Sequence, residues 1–497
     1  MPIAAPPAET AWLLHNIVGF TEMDEPDIAA ILEESTRTAE GILAPLDAPG
    51  DRTGAKLVNG AVQMPPGFAE AFHTYAKAGW IGIAASPAHG GQGLPETLAL
   101  AAFEPVSSAN MAFSLCPMLT QDAIKVLSVH GTADQQARLL RPMISGQWTG
   151  TMCLTEPQSG SDLSGVRTKA EPVGAEPAEN GRHRITGQKI YISYGDHPYT
   201  ENILHFVLAR LPDAPPGSAG ISLFAVPKMN PDGTQNAVRC LSIEHKLGIH
   251  ASPTCVMGFE GALGEMVGAP NRGLPAMFAM MNAARLGVAM QGVAVAERAF
   301  RRAADFAAIR AQGGATIDQH PDVRRMLLTM RALALGGRLL TLYAATIGGT
   351  RGELLIPVAK SWCTDAGLEA ASTGVQIHGG MGFIEETGAA QHLRDARILP
   401  IYEGTNGIQA ITLLRRGLLR DQGAAVQSLL DDIATAPSLA PFAATATEAA
   451  AWLRQAAPRA AEAGATAFLT MIGTLTAAWL CARTLAHQDA PPDASRR

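Results

Sequence analysis

A single glutamate, Glu403, follows a mostly apolar stretch, residues 398–402, in the segment IYEGTNGIQ. The apolar residues predict a strand-like approach, and a helix is expected to begin near Thr405. A carboxylate with apolar neighbours has a raised pKa, which suits a general base that works near neutral pH. The competing interpretation is an acidic residue at a helix start, where the helix dipole stabilises it.

A second segment, MCLTEPQSGSD over residues 152–162, combines hydroxyl groups with turn formers. Its N–H groups and the hydroxyls of Thr155, Ser159 and Ser161 could hydrogen-bond a pyrophosphate or the edge of a flavin. An ordinary loop that enters a β domain has the same composition. Composition alone therefore favours the loop.

Glycines are concentrated in VQIHGGMGF, residues 375–383, where Gly379, Gly380 and Gly382 permit a close backbone approach. The run is not a nicotinamide dinucleotide fingerprint, because it lacks the third glycine and follows a helical pattern. Its neighbour His378 is expected to serve in packing.

Metal chemistry is not indicated. Glu244, His245 and His250 are close in sequence, but their spacing does not place three ligands on one face. The six cysteines are scattered without a close pair, as expected of buried, reduced small hydrophobic residues.

The elements that must position these residues change character along the chain. Residues 1–150 have a mostly helical pattern, 151–265 a β pattern, 266–420 a helical pattern, and 421–497 form an Ala-rich helical tail that ends in a polar, disordered PPDASRR. The β region indicates a sandwich or barrel. Its predicted strands are Lys189–Ser193, in which exposure is expected to alternate, and Ile203–Ala209, Ile221–Val226 and Thr254–Phe259. In the helical region that follows, one long helix is predicted from Met277 to Arg302, and another is predicted to begin at Pro321.

Composition limits the class of protein. Hydrophobic residues make up 47% and charged residues 17% of the chain, as in a globular protein with extensive buried surface. The net charge of −7 gives no reason to expect nucleic-acid binding. No secretory signal is visible, and the charge-free stretch 463–482 is expected to be a buried or subunit-facing helix rather than a membrane span. We expect a cytoplasmic protein.

Together these segments resemble the signature motifs of the acyl-CoA dehydrogenase family. The resemblance covers nearly the whole chain, is densest from Gly150 to Gly417, and is closest to the large subfamily similar to 3-methylmercaptopropionyl-CoA dehydrogenases. It implies an α+β, mainly α fold with an N-terminal helical domain, a middle β domain and a C-terminal helical bundle.

The resemblance also implies roles for individual residues. Glu403 would take the α proton of an acyl-CoA thioester, and Ser161, Asn282, Arg285 and Gly404 would contact the substrate. Gln376 and the glycines after it would contact the FAD of a neighbouring subunit. The FAD-binding set is Met152, Cys153, Leu154, Thr155, Gly160, Ser161, Tyr191, Ile192, Ser193, Arg310, Gln376, Gly379, Gly380, Thr405 and Asn406.

Four positions differ from residues found in members of the family. Tyr191 and Ser193 replace the usual Trp and Thr of the strand KIYIS but keep an aromatic face and a hydroxyl. Ala284 stands where some members carry their base, so Glu403 is the candidate that fits. Gly313 replaces the aromatic residue that usually stands three positions after Arg310, on the adenine side of FAD.

By this resemblance the expected reaction is the oxidation of an acyl-CoA to a 2-enoyl-CoA, with the β hydride passing to flavin N5. Electron-transfer flavoprotein is the expected acceptor, and a homodimer or homotetramer the expected assembly. An acyl-CoA or nitroalkane oxidase would share the fold but reoxidise with oxygen. A non-catalytic, DNA-associated member is a further alternative, against which the net charge and Glu403 argue.

Overall fold

The computed structural model describes residues 3–174 and 181–487, which divide into two compact units. The first unit contains residues 3–44, 95–111 and 285–487, and the second contains most of the rest. The predicted disordered end PPDASRR lies outside the described residues.

Helices account for most of the described chain. They are α1 (Pro7–Trp12), α2 (Glu25–Thr38), α3 (Ala44–Thr53), α4 (Phe68–Lys77), α5 (Glu96–Ala109), α6 (Met111–His130), α7 (Ala133–Ile144), α8 (Gly273–Ile309), α9 (Pro321–Ile347), α10 (Gly349–His378), α11 (Ala389–Ala396), α12 (Asn406–Thr412), α13 (Ala424–Ala434), α14 (Ala440–Gln455) and α15 (Pro458–Ala486). Three short π-helical segments are Leu13–Val18, Ala39–Leu43 and Leu413–Leu418.

The strands are β1 (Lys56–Val58), β2 (Ala61–Gln63), β3 (Trp148–Cys153), β4 (Lys169–Pro172), β5 (Arg182–Ser193), β6 (Asn202–Ala209), β7 (Ser222–Pro227), β8 (Val238–Ile243), β9 (Thr254–Val267), β10 (Ala311–Gln312) and β11 (Ala315–Thr316). Seven of them form one sheet of the second unit in the order β3-β6-β7-β9-β5-β4, with β8 also paired to β9. The pair β3–β6 is parallel and the other pairs are antiparallel.

All four predicted strands are present, and the prediction of a β domain between helical regions is confirmed. The strands β3, β4 and β8 were not predicted. The missed strand β3 matters most, because the segment MCLTEPQSGSD, expected to be a loop, begins inside it: Met152 and Cys153 are the last two residues of β3. It also spans the predicted boundary at residue 150.

Two helices predicted after the β region are also confirmed. Pro321 stands at the start of α9, where its missing N–H costs nothing, and the acidic Asp322 follows in the first turn. The long pattern that begins at Met277 is part of the single helix α8.

The interior of the first unit contains a network of buried ion pairs. Arg338 on α9 donates to Glu104 Oε1 at 2.6 Å and to Glu297 Oε2 at 2.9 Å. Arg331 also pairs with Glu297, at 3.2 Å, and with Glu9 at 2.5 Å. The network joins residues from three separate stretches of the sequence inside one core.

Two helices, α8 and α15, have the length and apolar composition of membrane-spanning helices. Their most apolar windows are 67% and 56% buried, and core helices of proteins without a membrane span pass the same test. The stretch 463–482 lies in α15 and buries Phe468, Leu469 and Ile472, in agreement with the predicted buried helix. The cysteines are free, and five of the six are buried, as predicted.

Candidate active site

Glu403 lies in a tight left-handed turn in the first unit. Its φ is +54° and that of Gly404 is +84°. The N–H groups of Ile401 and Tyr402 both donate to the Ile398 carbonyl, at 2.9 and 3.2 Å, so the approach to Glu403 is a turn. The predicted strand-like approach is therefore wrong, because these apolar residues satisfy their backbone locally rather than in a sheet. A left-handed non-glycine residue costs about 1–2 kcal/mol, and such strain tends to occur at functional positions.

The helix after Glu403 begins as predicted. The Thr405 hydroxyl caps α12 by accepting from the Ile408 N–H at 3.4 Å. Glu403 therefore precedes the cap by two residues and lies outside the first helical turn, where the dipole acts most strongly. The helix-start interpretation of this glutamate is weakened accordingly.

Burial raises the pKa of Glu403, while the cations Arg285 and Lys360 oppose that rise. Arg285, on α8, is buried at 4% exposure, and a methyl group placed on Gly404 would lie 3.9 Å from its Nη2. The predicted base and one predicted substrate residue thus lie at one place, and the direction of the pKa shift is the one expected from the sequence.

A buried lysine and an asparagine fix the loop that carries Glu403. Lys360 Nζ on α10 donates to the Gly404 carbonyl at 2.9 Å and to Asn406 Oδ1 at 3.0 Å. The Asn406 amide in turn donates to Thr364 and Asp365 of α10, at 3.1 and 2.9 Å. The side chain of Asn406, predicted to contact FAD, is therefore engaged in holding α12 against α10.

Gln409 supports the same turn from the α12 side. Its Nε2 donates to the carbonyls of both Glu403 and Gly404, each at 3.1 Å. Neither Gln409 nor Lys360 was predicted to belong to the site. A signal for Lys360 is present in the sequence, since it is the sole lysine between residues 247 and 497 and stands in the apolar run LLIPVAKSW.

The second unit brings together the two segments predicted to contact a flavin. The Ile190 N–H donates to the Thr155 carbonyl at 2.9 Å, and the Thr151 hydroxyl donates to the Ser193 carbonyl at 2.8 Å. The end of β3 and the end of β5 therefore lie side by side, as the resemblance implies.

A buried ion pair holds these two segments. Lys189 Nζ donates to Glu156 Oε1 at 2.8 Å and to the Leu154 carbonyl at 3.0 Å. Glu156 also accepts from the N–H groups of Arg167 and Thr168, at 2.7 and 3.0 Å. Burial opposes ionisation of Glu156, but Lys189 and these donors lower its pKa to about 2.

The strand KIYIS does not alternate regularly, contrary to prediction. Lys189 pairs with Met257 and Ile192 with Cys255, so β5 has one extra residue in a bulge. Within the bulge Tyr191 has φ +60° and its side chain is 62% exposed. The bulge turns an aromatic face outward while Ile192 remains in the core.

The chemistry of this surface fits a flat, polar-edged aromatic ligand. Tyr191 is exposed, and the hydroxyls of Thr155, Ser161 and Ser193 in these two segments have no hydrogen-bond partner among residues 3–174 and 181–487. Gly160 and Ser161 are exposed and Leu154 is half-buried. Cofactor contacts at buried Met152, Cys153 and Ile192 would fall mainly to their backbones.

Other predicted site residues lie far from Glu403 along the helices of the first unit. Gln376 comes sixteen residues after Lys360 in α10, which is about 24 Å along the helix at 1.5 Å per residue. Arg310 lies about 37 Å from Arg285 along the direction of α8. Both side chains are exposed, as are Gly379 and Gly380, and Gly379 has φ +60°. Asn282 is half-buried in the part of α8 that belongs to the second unit.

Comparison with known proteins identifies the family. The acyl-CoA dehydrogenase N-terminal, middle and C-terminal domain models match residues 54–147, 151–262 and 271–418. The chain is 45% identical over 509 residues to 3-methylmercaptopropionyl-CoA dehydrogenase of Ruegeria pomeroyi, covering 93% of this chain and 85% of that protein.

Solved structures agree. Butyryl-CoA dehydrogenase of Megasphaera elsdenii matches with a TM-score of 0.70 at 25% identity, over 81% of this chain and all of that one. A structure from work on the electron transferring flavoprotein of Acidaminococcus fermentans and flavin-based electron bifurcation matches with a TM-score of 0.69 at 26% identity, over the same shares.

The chain therefore belongs to the acyl-CoA dehydrogenase family, flavoprotein oxidoreductases that act on CH–CH bonds. Members of this family bind FAD, and the exposed aromatic and free hydroxyls of the second unit fit that cofactor. The predicted fold, with a β domain between two helical regions, is confirmed.

Proposed function

We propose that this protein oxidises an acyl-CoA thioester to the 2-enoyl-CoA and that Glu403 is the catalytic base. One observation carries the proposal: a carboxylate with a raised pKa is held in a strained turn beside two buried cations. Glu403 takes the α proton as the Cα–H electron pair becomes the new Cα=Cβ bond. FAD, when bound, supplies the acceptor for the hydride that leaves the β carbon.

The backbone N–H of Glu403 is the proposed donor to the thioester carbonyl. It has no acceptor within residues 3–174 and 181–487, so it is available to a ligand. A donor placed at a developing oxyanion is typically worth about 3–4 kcal/mol. The same turn would thus supply both the base and the hydrogen bond that makes the α proton acidic.

The second unit would hold FAD through Tyr191, Thr155, Ser161 and Ser193. Tyr191 would cover the isoalloxazine ring and exclude water, and the three hydroxyls would hydrogen-bond its polar edge. The support is the exposure of Tyr191 and Ser161, and the lack of hydrogen-bond partners for the three hydroxyls in the described chain. Arg310 and Gln376 would serve the FAD of a neighbouring subunit, because each is too far along its helix to reach the region of Glu403 in its own chain.

The proposed substrate is a short acyl-CoA. The support is the 45% identity to an enzyme named for 3-methylmercaptopropionyl-CoA and the structural match to one named for butyryl-CoA. The proposed electron acceptor is electron-transfer flavoprotein, supported by the match to a structure from work on such a protein. We further propose a homodimer or homotetramer, without a membrane span, in the cytoplasm.

The test is anaerobic stopped-flow bleaching of the flavin after a screen of acyl-CoA thioesters. Glu403→Gln keeps the size of the side chain but cannot accept the α proton, so flavin reduction should fall by at least about 10²-fold. Binding of FAD and of the thioester should survive. Glu369→Gln, an exposed glutamate on α10, is the matched control and should behave as wild type.

Reduction of the Glu403→Gln flavin at a near wild-type rate would place the base elsewhere. Loss of FAD from this variant would make Glu403 structural. Bleaching followed by reoxidation in air at the rate of turnover would favour the oxidase alternative over a dehydrogenase.

A further inference from the structure

The charge environment of Glu403 contains a cation that the family resemblance did not assign. Lys360 is fully buried in α10. Its two hydrogen-bond acceptors, the Gly404 carbonyl and Asn406 Oδ1, are both uncharged. The ammonium is therefore not neutralised by a direct ion pair, unlike the buried arginines Arg331 and Arg338.

The choice of lysine is itself informative. Every other basic residue except histidine between residues 247 and 497 is arginine. A guanidinium presents a rigid planar fork suited to carboxylates, whereas an ammonium is a compact point charge with rotatable donors. The compact ammonium of Lys360 suits the single backbone carbonyl of Gly404 in a tight turn.

The turn that Lys360 holds is one that needs support. Glu403 and Gly404 are consecutive left-handed residues, a backbone that a non-glycine residue adopts only when its surroundings enforce it. Lys360 fixes the Gly404 carbonyl from α10, and Gln409 fixes the same carbonyl from α12. Anchoring this peptide determines where the Glu403 carboxylate and N–H point.

We propose that Lys360 is a positioning residue for the catalytic base: its ammonium anchors the left-handed Glu403–Gly404 turn, and its charge favours the ionised form of Glu403. The inference rests on the proposed function of Glu403. It extends that function by assigning the activation of Glu403 to Lys360 on α10.

The electrostatic part has a definite sign. The groups that interact with Glu403 are Arg285 on α8, Lys360 on α10 and Tyr402 in the loop. Two further charges act on these cations, Asp365 on Lys360 and Arg416 on Arg285. Burial lowers the pKa of Lys360 to about 8, so it is largely charged at neutral pH. Once that charge is removed, Arg285 is the main group that still opposes the effect of burial on the pKa of Glu403. This pKa must therefore rise further.

Lys360→Met and Lys360→Gln are the test variants, since both remove the charge and Gln keeps a polar group. The acid limb of the pH–rate profile for anaerobic flavin bleaching should lie about one pH unit higher in both variants than in wild type. At neutral pH the rate should fall about tenfold or more in Lys360→Met. Arg459→Met, which removes an exposed cation on α15, should leave the limb in place.

A second readout does not depend on turnover. Infrared difference spectra recorded during a pH titration contain the carboxylic acid band of Glu403, identified by its absence in Glu403→Gln. Its midpoint should move upward in both Lys360 variants, whether or not they retain FAD. An unchanged midpoint and an unchanged acid limb would overturn the inference, since a merely structural lysine lowers stability without moving either.

The two proposals fail separately. If Glu403→Gln reduces its flavin at the wild-type rate, the proposed base is wrong whatever the Lys360 variants do. If Glu403→Gln is inactive while the Lys360 variants keep the wild-type acid limb, Glu403 remains the base and only the role of Lys360 falls.

Discussion

At the scale of single residues, the position of Glu403 costs stability in a way that suits the proposed catalytic base. Its backbone is left-handed and its carboxylate is desolvated, and both features cost free energy in the folded state. The two nearby cations offset only part of that cost, because the net shift of the Glu403 pKa is upward. Residues that favour function over stability in this way are common in active sites.

This cost predicts a pH-dependent gain in stability for Glu403→Gln. Since the folded state holds the Glu403 proton more tightly than the unfolded chain, the wild-type free energy of unfolding must fall as pH rises from about 4.5 through the raised pKa. Gln mimics the protonated acid and removes this loss. Denaturant unfolding at pH 4 and pH 8 should show little difference at the lower pH and a more stable variant at the higher one. A variant less stable than wild type at pH 8 would contradict the argument.

At the scale of elements, a buried ion pair helps to join the two segments of the β domain that form the proposed flavin-binding surface. Lys189 holds the end of β3 through the Leu154 carbonyl and Glu156. The bulge next to Lys189 then turns Tyr191 outward. The position of the aromatic face is thus set by a polar contact in the core.

Lys189→Met should therefore weaken FAD binding. It leaves Glu156 buried without its cation, so the loop after β3 should lose order and the dissociation constant of FAD should rise at least about tenfold, equivalent to 1.4 kcal/mol. Fluorescence titration of the apoprotein with FAD measures this. Lys169→Met, which removes an exposed lysine from the neighbouring strand β4, is the matched control and should bind FAD as wild type does.

At the scale of the whole molecule, the buried network around Arg338 holds the first unit together. Arg338→Met removes one partner and leaves Glu104 and Glu297 buried without it, a change that typically costs about 3–5 kcal/mol. Arg325, on the same helix, forms an exposed ion pair with Asp322. Arg325→Met should therefore lower the free energy of unfolding by less than about 1 kcal/mol. Urea unfolding of the two variants compares them directly, and equal losses would refute a special role for the network.

The network also predicts acid sensitivity. Burial opposes ionisation of Glu297, but Arg338, Arg331 and Arg301 lower its pKa to about 2. The stability that Glu297 contributes is therefore fully present above its ordinary pKa of 4.5 and is lost as pH falls from there toward 2. In Arg338→Met the pKa of Glu297 is lowered less, so this loss should be smaller and should end at a higher pH, as the pH dependence of unfolding would reveal.

Assembly is the second prediction at this scale. Beside Gln376 and its glycines, Met381 and Phe383 are 51% and 85% exposed, which suits a surface that meets a second subunit. Light scattering should give a dimer or tetramer, and Phe383→Asp should shift it toward the monomer and lower FAD retention. Phe442→Asp, on α14 and 60% exposed, should change neither. An FAD-saturated, active wild-type monomer would exclude the neighbouring-subunit contact.

The sequence by itself determined the order of helical and β regions, the four main strands, the start of α9 at Pro321 and the glutamate with a raised pKa. These follow from local periodicity, turn residues and capping, which are encoded over a few neighbouring positions. The assignment of the family rested on four short motifs, because their residue types are unusual in combination.

The tertiary structure alone decided which distant side chains complete the site. Lys360 and Gln409 reach the Glu403 turn from different helices, the bulge at Tyr191 depends on pairing with β9, and the apolar stretch before Glu403 folds as a turn. Apart from the isolated lysine at position 360, none of these has a local signature, since each depends on contacts between segments that are far apart in sequence.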